Sequence, residues 1–195
     1  MMRLDEDDLL LAYHGGSLWR FRKARKHEFS YFGGPIEDYP QGIEHGPQSL
    51  HHVATLWAHH LPCLLDSRIT QLPLFYGFCF DGCRLRYRVG GGAAIELLEL
   101  EPTESTEDFP YRNYPALLPY YPLAPVAPEP VAPETFLEML HQPIDLRPHE
   151  LIVLLPCPFT IGVSLWGREG DAEEVQVVFR IDPAAKTVEG FNLCG

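Results

Sequence analysis

The stretch SLHHVATLWAHHLP, residues 49–62, holds His51, His52, His59 and His60 beside Trp57. Four imidazoles so close together invite a metal site or a pH switch, because neutral imidazole is a common metal ligand and titrates near pH 6.5. Their spacing argues against the metal. On a helix, His52 and His59 share a face but stand about 10 Å apart along the axis, whereas zinc holds each nitrogen at about 2.0–2.1 Å. On a strand, His51 and His59 share a face but lie about 25 Å apart. The i, i+4 histidine pair of a zinc-protease helix is missing, and further ligands would have to come from His45, Asp66 or His141. The histidines are therefore expected on a wet surface, with no metal and no cofactor.

The same stretch reads equally well as helix and as strand. Ser49 suits a cap and Pro62 a stop, and Leu50, Val53, Trp57 and Leu61 form the side expected to face the core. Four histidines on one wet side would mean helix, and a split across two faces would mean strand.

The cysteines and arginines supply the other candidate chemistry. Cys63, Cys79, Cys83, Cys157 and Cys194 are odd in number and form no C-x-x-C pair, so neither a disulfide framework nor a zinc knuckle is indicated. Cys63 and Cys157 follow prolines beside apolar runs and read as small buried hydrophobes rather than nucleophiles. Arg84, Arg86 and Arg88 alternate with Cys83, Leu85, Tyr87 and Val89, a period of two that buries one face and leaves the other cationic. Such a stripe wants carboxylates or phosphates. The ordinary alternative is a solvated face balanced by acidic residues 96–108. With Glu37, Asp38 and Tyr39, these arginines are the candidate partner-contacting residues. A second basic run, Arg20, Arg22, Lys23, Arg25 and Lys26, stands out in an acidic chain. No P-loop, dinucleotide fingerprint or nucleophile elbow is present.

The elements that must position these residues are strand-rich. Residues 4–13 suggest a short helix, broken by HGG at 14–16, and a strand begins at Leu18, Trp19 and Phe21. Glycines and prolines make 30–47 a loop. Asp81-Gly82 predicts a two-residue hairpin joining 72–80 to 83–89. Prolines recur through 110–133, which reads as an extended surface segment. A short helix follows from Pro133 to a stop at Pro143, then a buried strand in ELIVLLPCPF and strands in TIGVSLWG, EEVQVVFRID and KTVEGFNLCG. The expected class is α+β, with mainly antiparallel pairing and a few short helices in a single domain.

Three stretches, SYFGGPIEDYPQG with HVATLWAHHLP, LPLFYGFCFDGCRLRYRV, and LWGREGDAEEVQVVFRID, resemble the bacterial YwqG-like family of unknown function. Thr55 and Trp57 stand where that family usually has glutamine and aspartate. The resemblance implies a strand at 50–61 and no established activity, so it assigns no catalytic residue.

Acidic residues number 27 against 15 basic ones, a net charge of −12, which repels phosphate backbones and favours a basic partner. The acidic start lacks the basic flank and long apolar run of an export signal, so a cytoplasmic protein without nucleic-acid or membrane partners is expected. The function expected is non-enzymatic binding of a protein partner. An acidic immunity protein covering a basic toxin domain is one concrete form. The alternative is a small-ligand binder or hydrolase-like enzyme with a cleft near residues 31–47 and 109–125.

Overall fold

The computed structural model describes residues 5, 7–26, 28–34, 50–78, 82–90, 95–101, 118–156 and 175–195. Its first hairpin corrects the helix expected at 4–13. Asp8–His14 (β1) and Ser17–Lys23 (β2) are antiparallel strands joined by Gly15 and Gly16. Both glycines hold positive φ, +55° and +80°, as a tight hairpin turn of this kind requires. The run DLLLAY is apolar on every side because β1 is buried on both faces. Leu10 and Ala12 face the larger core, while Leu11 and Tyr13 face a second one. A short surface helix would bury only one stripe.

The remaining strands are β3 (Ser30–Phe32), β4 (His51–Trp57), β5 (Gln71–Tyr76), β6 (Arg84–Val89), β7 (Ile95–Glu101) and β8 (Tyr121–Pro125). After them come β9 (Glu129–Pro130), β10 (Leu151–Leu155), β11 (Val175–Asp182) and β12 (Thr187–Cys194). They pair antiparallel in the order β5-β4-β3-β8-β2-β1-β10-β11-β12-β6-β7, with β9 beside β2. Helix is scarce among the described residues: a 3-10 turn at Ala58–His60, α1 at Pro62–Leu65 and α2 at Pro133–Leu137. The antiparallel pairing and the few short helices match the expectation, but the sheet dominates. The described part of the proline-rich segment supplies β8, which lies between β3 and β2 with Leu123 fully buried.

Residues 50–61 resolve as strand followed by the 3-10 turn. The larger core lies on one face of the sheet and gathers Phe21, Phe32, Phe75, Tyr87 and Phe179. On the other face, α2 and the chain after it cover Leu11, Tyr13, Ile152, Leu154 and Val178. Tyr13 stacks on Phe136 of α2 with centroids 4.3 Å apart.

Asp81 and the two residues before it lie outside the described residues, and among those described β5 and β6 form no ladder across the expected Asp81-Gly82 hairpin. Among the described residues β5 pairs with β4, and β6 pairs with β12 and β7. The sheet instead curls so that β5, at one end of the order, meets β6 and β12 near the other end. Tyr87 Oη donates to Pro73 O at 2.7 Å and accepts from Phe75 N–H at 3.2 Å. Tyr76 Oη donates to Asn192 Oδ1 at 2.9 Å and accepts from Cys83 N–H at 3.2 Å. The carbonyl and amide served by Tyr87 belong to alternate residues of β5, on the edge turned away from β4. Proline at 73 removes a donor on that same edge, where a strand tolerates it. Burial pushes the Tyr87 hydroxyl well above its ordinary pKa, so it stays protonated.

Tyr87→Phe removes the hydrogen bonds to the Phe75 amide and the Pro73 carbonyl. A loss of about 1–3 kcal/mol is expected, read from the urea midpoint at unchanged m-value. An unchanged midpoint would show that this hydroxyl does not hold the curl.

Candidate binding site

Two of the four histidines, His51 and His52, do not occupy the wet surface expected of them, while His59 does. His51 and His52 are each only 3% exposed, while His59 is exposed and His60 half-buried. An extra residue, Val53, forms a bulge in β4 between the pairs His52↔Phe75 and Ala54↔Leu74. His52 Nδ1 lies 3.1 Å from Gly33 O and 3.4 Å from Gly34 O, so it carries the proton and donates. His52 Nε2 accepts from Thr55 Oγ1 at 2.9 Å. Burial lowers the His52 pKa to about 4, so the ring is neutral at physiological pH. It holds a turn that needs glycine: a Cβ on Gly33, at φ +57°, would sit 2.3 Å from Pro119 O. His60 Nδ1 meets Ser30 Oγ at 2.8 Å, and the same oxygen accepts the Trp57 amide. Among the described residues no group of three or more His, Cys, Asp or Glu is placed to hold a metal.

Burial pushes the Cys63 thiol up to about 11, which keeps it protonated and poorly nucleophilic. Cys63, Cys83 and Cys194 form no disulfide with one another. The basic run is largely absorbed by the fold. The Asp8 carboxylate, its side chain fully buried, pairs with both Arg20 and Arg22. Arg20 Nε also meets Glu129 at 2.7 Å, and Arg22 meets Asp5 at 2.8 Å. Lys23 Nζ sits 3.7 Å above the Tyr121 ring.

The arginine stripe lies where alternation puts it, on the exposed face of β6. Its carboxylates come from the chain itself. Arg84, Arg86 and Arg88 stand opposite Glu101, Glu99 and Glu96 of β7, and Arg86 also stands opposite Glu189 of β12. Arg84 Nε bonds Glu189 at 2.8 Å, and Arg88 pairs with Glu96. Arg86 makes no ion pair with a described residue. Glu96 reaches this face through a bulge: Leu98 is the extra residue between the pairs Arg86↔Glu99 and Tyr87↔Leu97. Glu96, Glu99 and Glu101 belong to the acidic residues expected to balance these arginines, but strict alternation from Glu99 and Glu101 would turn residue 96 to the other face, so alternation alone does not place Glu96 in the row. Glu37, Asp38 and Tyr39 lie outside the described residues, as does most of the cleft expected near 31–47 and 109–125.

Arg84, Arg86, Glu99, Glu101 and Glu189 line a trench of about 380 Å³ across β7, β6, β12 and β11. Its wall on the β10 side is Glu150, which the sequence reading passed over because only its position before a fully apolar strand marks it. The Glu150 side chain is 4% exposed. Its Oε1 lies 3.4 Å from Arg147 Nη1, and its Oε2 lies 3.5 Å from Arg180 Nε without a hydrogen bond. Arg180 is anchored elsewhere, donating to Asp145 O at 3.0 Å. On the far side of Glu150 and Arg147 a smaller cavity of about 200 Å³ opens between the β1–β2 turn and residues 146–148, walled by Tyr13, Pro133, Leu146 and Ile152.

No family model, curated protein or solved structure matches this chain. The site is therefore interpreted from its own geometry.

The buried His52 makes stability pH-dependent in a defined window. Its folded pKa, about 4, lies below the unfolded value of 6.5, so the unfolded chain binds the proton more readily. Stability therefore falls as pH drops from about 6.5 to about 4, by about 3 kcal/mol in total, and His52 adds no further change below that. Urea midpoints of the wild type and His52→Gln, measured across this range, are expected to converge or cross as pH falls. Parallel curves would show that His52 does not titrate in the fold as described.

Proposed function

We propose that this chain is a non-enzymatic interaction protein of the cytoplasm whose trench face covers a basic surface on a protein partner. The observation that carries this reading is the charge of the trench. Glu99, Glu101, Glu150, Asp182 and Glu189 outnumber Arg84, Arg86, Arg147 and Arg180, on a chain whose net charge is −12. The net charge of the whole chain attracts a basic partner, and complementary potentials across an interface speed docking. The interspersed arginines fix register, because a partner must offer carboxylates at matching points to avoid unpaired charge. An immunity protein that masks a toxin's basic active site is one concrete form. Kinship with the YwqG-like family, proposed on the three stretches quoted above, adds no activity to this reading. No helix among the described residues is long and apolar enough to cross a membrane.

The test is affinity capture from the native host, followed by titration of the captured protein. The expected partner is basic, binds more weakly as salt rises, and loses about tenfold or more in affinity to Glu99→Lys/Glu101→Lys. An acidic partner, salt-independent binding, or full affinity for the double variant would overturn the trench as the docking face.

A further inference from the structure

The two ends of the sheet are treated differently. At one end, β5 has the Pro73 carbonyl and the Phe75 amide taken up by Tyr87 Oη. At the other end stands β7, whose one ladder partner among the described residues is β6. The outer edge of β7 therefore offers backbone donors and acceptors to a further strand. Natural edges are blunted by lysine, proline or very short strands. β7 has none of these: it runs for seven residues, IELLELE, without Lys, Pro or Gly. Its irregularity is the bulge at Leu98.

The side chains along this edge select what can be added. Ile95, Leu97 and Leu100 are buried in the larger core, and Glu96, Glu99 and Glu101 are exposed on the other face. Glu96 is paired with Arg88, whereas Glu99 and Glu101 make no ion pair with a described residue. A strand added here lies about 4.7–4.9 Å from β7 and about twice that from the arginines of β6. The row it meets first is all carboxylate. Like charges directly opposite are destabilising and opposite charges stabilise. A second copy of this chain, added antiparallel through its own β7, would set glutamates against glutamates. A segment with lysine or arginine at alternate positions meets the row with opposite charge, and its other residues fall on the side of Ile95, Leu97 and Leu100, where apolar residues fit.

We infer that the outer edge of β7 takes an extended segment of a protein partner as a further strand, with Lys or Arg opposite Glu99 and Glu101 and apolar residues between them. Main-chain hydrogen bonds supply affinity in such strand addition, and alternate side chains supply specificity. The inference deepens the proposed function: it rests on a basic protein partner at the trench face and names the backbone that the partner grips.

The test uses a short acetylated peptide of alternating lysine and valine, titrated at low salt into the full chain and followed by NMR and amide hydrogen exchange. In the free chain, the amides of residues 95–101 that are not bonded to β6 should exchange fast. The peptide should protect them and shift β7 saturably. A glutamate–valine peptide should bind about tenfold or more weakly, as should the lysine–valine peptide against Glu99→Lys/Glu101→Lys. N-methylation of the peptide amides on one set of alternate residues should abolish binding, while methylation of the other set leaves it. These peptide controls keep the wild-type chain intact, so they stand even if the double variant unfolds. Slow exchange of the whole of β7 in the free chain would mean that the edge is already covered, and would overturn the inference. Equal binding of both methylated peptides would reduce the contact to charge alone, with the same consequence. Equal or better binding of the glutamate–valine peptide, or no binding of any peptide, also overturns it. Each of these failures leaves the trench reading to the captured partner and its salt dependence.

Discussion

The hydroxyl of Tyr87 is the bond on which the rest of the architecture turns. A sheet of this width has two edges, and an edge strand exposes amides and carbonyls that recruit other chains. Here the edge of β5 is answered from within. One phenol oxygen gives its proton to Pro73 O and takes the Phe75 amide, so a single buried group serves a donor and an acceptor at once. Tyr76 repeats the device in reverse, reaching from β5 to Asn192 on β12 and to the Cys83 amide. These contacts bend the sheet around the larger core. They also explain why β5 and β6, neighbours in sequence, meet through side chains rather than through a ladder.

Curling decides what each face can do. The side over the larger core is filled by apolar side chains among the described residues. The opposite side divides in two. Over β1 and β10 it is covered by α2, which gives the second core. Over β11, β12, β6 and β7 the described residues leave a bare, charged face. Glu150 lies on the seam between the two, where the cover ends and the trench begins. Its carboxylate stands between Arg147 and Arg180.

Much of the fold was legible where one periodicity dominated. Arg84–Val89 alternates without exception, and its strand has the exposure that alternation demands. The apolar run in β10 is buried throughout. The misreadings share a cause: long-range contacts that local pattern does not encode. DLLLAY looked helical because burial on two faces erases alternation. The Asp81-Gly82 signal predicts a ladder between β5 and β6, but among the described residues the two meet through tyrosine contacts. His51 and His52 looked wet because histidine is usually placed at the surface, but Gly33, Gly34 and Thr55 supply His52 with the bonds that make burial tolerable. The place of Glu96 in the acidic row is hidden by a single bulge at Leu98. Glu150 carries no sequence signal of its own, since its environment comes from Arg147 and from Arg180, far along the chain.

The central functional claim is that a protein partner sits on the charged face rather than on the opposite end of the sheet near α1. Zero-length carbodiimide cross-linking of the captured complex tests it most directly, because it joins carboxylates to lysines already in contact. Links from Glu99, Glu101, Asp182 or Glu189 to partner lysines are expected. Links confined to carboxylates such as Asp66 and Glu28, with the trench residues unmodified by the partner, would contradict it.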